Sequence, residues 1–123
     1  MSNLSRMRAD TAWYLAQWGE PLLRRRATAS FDAKGQATED WSASLSFTGD
    51  FQALSGDEIE AEAGLEHRSD EQVIVAYNAD IQSRDRVYRY DENLGFLALY
   101  RVNYTRDHEC QKVLMVYKEI QQP

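Results

Sequence analysis

A chain of 123 residues, 43% apolar and 28% charged, is enough for one domain with a modest core of its own. Its single cysteine, Cys110, excludes an internal disulfide framework and fits a reducing compartment, and no apolar run approaches the ~18 residues of a membrane span. The net charge of −6 is uneven: residues 1–30 carry five arginines against Asp10 and Glu20, a net of +3, which leaves −9 on the other 93. That balance argues against a general nucleic-acid binder, which needs clustered cations, and favours a partner or neighbouring copy of complementary sign. "MSNLSRMRAD" has no apolar h-region, so the expectation is a soluble protein that stays in the cytoplasm where it is made.

In chain order, residues 4–18 read as a helix within an N-terminal segment 1–20. Leu4, Met7, Thr11, Tyr14, Leu15 and Trp18 fall in one stripe at the 3.6-residue period. Gly19 occupies the place of a left-handed C′ residue, and Pro21 prevents continuation. Trp13 points off the stripe, which marks it either as a half-exposed surface residue or as part of an oligomer interface. From residue 21 the period becomes two. In "PLLRRRATASF", Arg24 and Arg26 share one strand face and Arg25 takes the other. The basic run reads as a solvated strand edge, with docking of Arg24, Arg25 and Arg26 on an acidic patch of the next subunit as its rival.

The turn "DAKGQ" leads into "WSASLSFTGDFQA", where Trp41, Ala43, Leu45, Phe47, Gly49, Phe51 and Ala53 alternate with mostly polar residues. Gly49 inside so long a strand predicts a bend or bulge there. An acidic insertion, 54–72, then breaks the pattern with Asp57, Glu58, Glu60, Glu62, Glu66, Asp70 and Glu71, and "DEIEAEA" has the composition of two helical turns. "VIVAY" (73–77), "RVYRY" (86–90), "FLALYRVNYT" (96–105) and "KVLMVYKEI" (112–120) follow as strands separated by turn signals. Tyr100 and Tyr104 share a face with Ala98 and Val102 and read as core. The predicted fold is mainly β: a small antiparallel β-barrel of about six strands spanning 21–123. It carries an N-terminal α-helix and a short helical or loop insertion, all in a single domain 1–123.

Chemistry finds little support. His108 and Cys110 have only His67 to complete a metal set, so neither a metal nor a cofactor is expected. Asp85, Asp91 and Glu92 fall in turn-like contexts and read as solvated rather than as a catalytic carboxylate pair. No nucleophile elbow, phosphate loop or dinucleotide fingerprint is present, so the expectation is a non-enzyme with no catalytic residues. The aromatics of "RVYRYDENLGFLALYRVN" have too few neighbouring cations for a base-stacking platform and read as barrel wall.

Leu54-Ser55-Gly56, the Val73–Tyr77 strand, Ile81 with Asp85-Arg86-Val87, and Phe96 to Val102 form an ordered pattern that resembles the head-closure (head–tail adaptor, or head-completion) proteins of long-tailed bacteriophages. "ADTAWYLAQWGEPLLRRR" is similar to the helix-Gly-strand start of the head–tail joining branch. The family usually has an Arg-Tyr pair after the "VIV" strand, where this chain has Ala76-Tyr77-Asn78.

The resemblance implies a virion protein of the neck, at the head–tail interface, acting by shape and charge rather than by catalysis. Six or twelve copies would form a ring between the portal or adaptor protein and the tail terminator or tail tube protein. Packaged DNA would pass through the lumen without sequence-specific contact, and no membrane is involved. Trp13, Arg24, Arg25, Arg26, Asp57, Glu58, Glu60 and Glu62 become candidate interface residues, and Glu58, Glu60, Glu62 and Glu66 a candidate lumen or gating segment. Two alternatives stay open: a tail-terminator or tail-completion ring, and a cellular β-barrel module that binds a peptide or oligonucleotide.

Overall fold

The computed structural model describes residues 3–31, 33–54, 68–91 and 96–119. One helix, α1 (Asn3–Trp18), precedes six strands: β1 (Glu20–Phe31), β2 (Ala37–Ala53), β3 (Glu71–Ala76), β4 (Arg86–Asp91), β5 (Phe96–Asp107) and β6 (Gln111–Lys118). All pairings are antiparallel and close in the order β1-β2-β3-β6-β5-β4. The barrel is thus two three-stranded meanders joined at β3–β6 and β1–β4. Asp57, Glu58, Glu60, Glu62 and Glu66 lie outside the described residues, as does the helix expected within "DEIEAEA".

Alternation fills the barrel. Leu22, Val73, Val75, Val87, Ala98, Tyr100, Val102, Leu114 and Val116 form one buried cluster with Ile81, and Phe47, Phe51 and Ala79 pack against it. The Phe51 and Tyr100 rings meet at 5.0 Å between centroids. Gly49 faces this core in regular register with Glu20, so the predicted bulge is not at the glycine. A Cβ there would fall 2.7 Å from Val73 Cγ1 and 2.9 Å from Leu22 Cδ1, which is why the position is bare. The bulge lies farther along the hairpin, where the register passes from Arg26↔Ala43 to Thr28↔Asp40 and two β2 residues, Trp41 and Ser42, oppose Ala27.

A second irregularity corrects the expectation for Tyr104. Val102 pairs with Val116 but Tyr104 pairs with Met115, so Asn103 is the extra residue. The slip moves Tyr104 off the face shared by Tyr100 and Val102.

The long strands outrun the barrel. β1 pairs with β4 only over Leu23–Arg25, and β2 with β3 only over Asp50–Ala53. The rest of β1 and β2 continues as a two-stranded ribbon to the turn at Gly35, whose φ of +80° suits a residue without Cβ. Because Ala43 and Leu45 lie beyond the part of β2 that pairs with β3, they stay exposed although their alternation with serine matches a core strand.

α1 lies across the outside of β2 and β3. Tyr14 donates to Asp50 at 2.6 Å, and Arg8 stacks 3.7 Å over the Tyr77 ring while its Nε donates to the Glu109 carbonyl. Of the predicted stripe only Leu15 is fully buried; Met7 is 50% and Trp18 69% exposed. Gly19 is not left-handed. Its N–H continues the helix ladder to the Leu15 carbonyl, and a Cβ would strike that oxygen and Thr48 Cγ2.

Candidate functional site

Charge closes both ends of the barrel. At one end Arg89, on the face of Val87, lies 4.3 Å over the Phe51 ring and binds Glu20 at 3.0 Å, with Glu71 at 3.7 Å. Burial pushes the Glu71 carboxyl above its ordinary value, and nearby Arg89 only partly offsets this. Partial burial pulls the Arg89 guanidinium down, yet its bond to Glu20 leaves it raised overall.

The other end is closed by the β3–β4 connection, residues 77–85. Asp85 is 2% exposed and accepts from Arg26 Nε at 3.0 Å, Arg26 Nη2 at 2.9 Å and the Gln82 N–H at 2.8 Å. Arg24, 8% exposed, donates to the Asp80 carbonyl at 2.9 Å and its carboxylate at 3.3 Å. Hydrogen bonding from Arg26 holds the Asp80 carboxyl below the usual range, and the Asp85 bond holds the Arg26 guanidinium up. Arg84, next to Asp85, adopts φ +72°, and its N–H bonds the Val102 carbonyl on β5.

These contacts revise two expectations. Asp85 is a buried structural carboxylate, not a solvated one, because Arg26 on β1, the strand that pairs with β4, supplies the charge its turn lacks. The triple arginine is not a solvated edge: β1 alternation turns Arg24 and Arg26 toward the barrel mouth, where Asp80 and Asp85 hold them. Only Arg25 is exposed, its guanidinium 5.1 Å from the Tyr88 ring centroid. A contact from this run to a neighbouring copy therefore falls to Arg25.

On the outer wall, the bulge turns Trp41 under Arg86 and Arg101, 4.0 and 5.1 Å from its ring, and both arginines pair with Glu119. Sequence reasoning missed this cluster, since a one-residue bulge leaves no mark in the alternation.

Several large apolar side chains are left uncovered. Trp13 is 65% exposed on the solvent side of α1, beside Ala12 and one turn from Ala16. Those alanines line an open groove of about 490 Å³ between α1 and β2, apolar at Leu15, Leu45, Phe47, Ala76 and Ala79 and polar at Ser46, Thr48, Asn78 and Asp80. At the far end of the ribbon Phe31 is 73% exposed.

A small closed antiparallel barrel, tied at both mouths by arginine–carboxylate clusters and bearing its exposed apolar groups outside, defines the class of this protein. Among solved structures it is similar to protein SF1141 from Shigella flexneri 2a, determined in solution. The TM-score is 0.62 and the identity 13%, over 81% of this chain and 90% of that one. At that identity the likeness is one of fold. No family model matches the chain, and no curated protein matches it by sequence.

Proposed function

We propose that this protein is a structural component of the neck of a long-tailed bacteriophage, a ring-forming protein that closes the DNA-filled head and gives the tail its docking platform. The observation that carries the reading is a division of labour among the described residues. The charged clusters close the barrel onto itself, whereas Trp13, Trp18, Phe31, Leu45 and the ribbon edges are left uncovered. A monomer with that distribution suits an assembly subunit better than a catalyst.

The segment carrying the resemblance is also a structural unit. Ile81 and Val87 sit in the core and Asp85 anchors the mouth, so "I…DRV" frames the barrel. In this reading the protein makes no bonds and needs no cofactor. Its partners are its own copies, a portal or adaptor protein and a tail terminator or tube protein, with packaged DNA passing through the ring without sequence-specific contact.

Fractionating particles from infected cells tests this. The protein is expected on tail-less, DNA-filled heads. Its presence only on isolated tails would replace the reading with that of a tail terminator. A free monomer with salt-sensitive oligonucleotide affinity would replace it with a cellular binding module.

A further inference from the structure

We infer that neighbouring copies join by a knob and a groove: Phe31 at the tip of one copy's ribbon seats in the groove between α1 and β2 of the next. This deepens the ring reading and rests on it.

Four observations lead there. First, Phe31 stands on a ribbon face with two alanines and one carboxylate. Directly paired residues share a side, so Phe31↔Ala37 and Ala29↔Glu39 place Ala29, Phe31, Ala37 and Glu39 on one face, while Thr28, Thr38 and Asp40 take the other. Second, the groove is mostly apolar, walled by Ala12, Leu15, Ala16, Leu45 and Phe47 with Ser46, Thr48, Asn78 and Asp80 as its polar margin, and it is roomy enough for an aromatic ring.

Third, the knob is out of reach of its own groove. Leu45 pairs with Arg24 and Ala37 with Phe31, so Phe31 lies seven residues of extended strand beyond the groove wall, about 23 Å away. A second copy has to supply the ring.

Fourth, the charges match. Arg6, Ala9 and Trp13 follow one another at helical spacing along the exposed face of α1 beside the groove. Arg6 lies ~9 Å along the axis from Ala12, and Glu39 lies ~7 Å along the ribbon from Phe31, so seating the ring brings Glu39 within reach of Arg6. Both side chains are exposed. Trp13 then forms the lip of the groove over the incoming ribbon.

The contact is heterologous, because knob and groove are different surfaces of one chain. Repetition closes a ring or grows a filament.

Complementation tests it. Phe31→Asp removes the knob and Ala12→Trp fills the groove; both positions are exposed, and unchanged melting curves verify the folds. In sedimentation velocity up to ~1 mM, wild type is expected to self-associate, and each variant to weaken association at least ~30-fold, the loss expected for one buried phenyl group. An equimolar mixture of the two variants should form dimers and stop, since one good knob and one good groove remain. Arg6→Glu and Glu39→Arg should each weaken association, and together restore it.

A wild-type chain that stays monomeric throughout, association indifferent to both variants, or a mixture that does not pair overturns the inference. Such results would leave the neck reading standing, since that is judged by the particle on which the protein is found.

Discussion

Arg26 clasps Asp85 side-on, its Nε and Nη2 donating to the two carboxylate oxygens at 3.0 and 2.9 Å across 59 residues of sequence. The fork joins β1 to the connection that closes one mouth of the barrel, and Asp85 also accepts from the Gln82 N–H. Replacing it by Asn keeps the shape but strips the charge and at least one acceptor. Asp85→Asn should destabilise the fold by about 2 kcal/mol in urea unfolding at pH 7, toward the low side for a broken buried pair, because Arg26 keeps Asp80. A loss under about 0.5 kcal/mol would mean that the clasp is a surface pair in effect.

Arg24 and Arg25 are adjacent but should answer differently to the same change. Arg24→Glu places a carboxylate in a buried position beside Asp80 and should lower the urea midpoint strongly. Arg25→Glu changes an exposed face and should leave the midpoint within error, so it alone tests whether the basic run contacts a neighbouring copy. Equal shifts for the two would contradict the assigned strand facing.

The two mouths should respond to pH with opposite signs. Asp80 has its folded pKa lowered by Arg26, so its contribution is present above the unfolded carboxylate value and fades as pH falls through the folded one. Asp80→Asn should therefore cost stability at neutral pH and little in strong acid. Glu71 has its folded pKa raised by burial, so the fold favours its protonated form and loses stability as pH rises from the ordinary carboxylate value through the raised one. Glu71→Gln should accordingly gain on wild type between acid and neutral pH. Urea midpoints across that range check both slopes.

Trp41 is the shielded tryptophan, beneath Arg86 and Arg101, while Trp13 and Trp18 are exposed. Acrylamide quenching should resolve one protected class and two open ones. Trp41→Phe should remove the protected class, and Trp13→Phe should leave it. Uniform quenching in wild type would contradict the position of the ring beneath Arg86 and Arg101.

Period-two alternation and turn residues made the six strands and the barrel legible in the sequence, because burial on one face imposes them directly. What was not legible depended on register. The bulges at Trp41–Ser42 and Asn103 each add one residue without altering composition, yet they reverse which way Trp41 and Tyr104 point. The partners of Arg24, Arg26 and Asp85 were hidden for a related reason: they lie more than 50 residues apart and meet only when β4 closes onto β1. Helical spacing alone turns Trp13 outward, whereas nothing in the sequence marks Phe31, since only the outrun of the ribbon makes it a tip. The contrast between Gly49, kept bare by Val73 and Leu22, and Gly35, needed for its φ, is likewise invisible in sequence.

The most direct test of the central claim is an add-back measurement. DNA-filled heads are prepared from an infection lacking this protein, the purified full chain is added, and nuclease-protected DNA and tail attachment are counted together. The account predicts that the protein restores both, with the packaged DNA retained and the heads competent for tails. Heads that retain their DNA and accept tails equally well without it would contradict the claim.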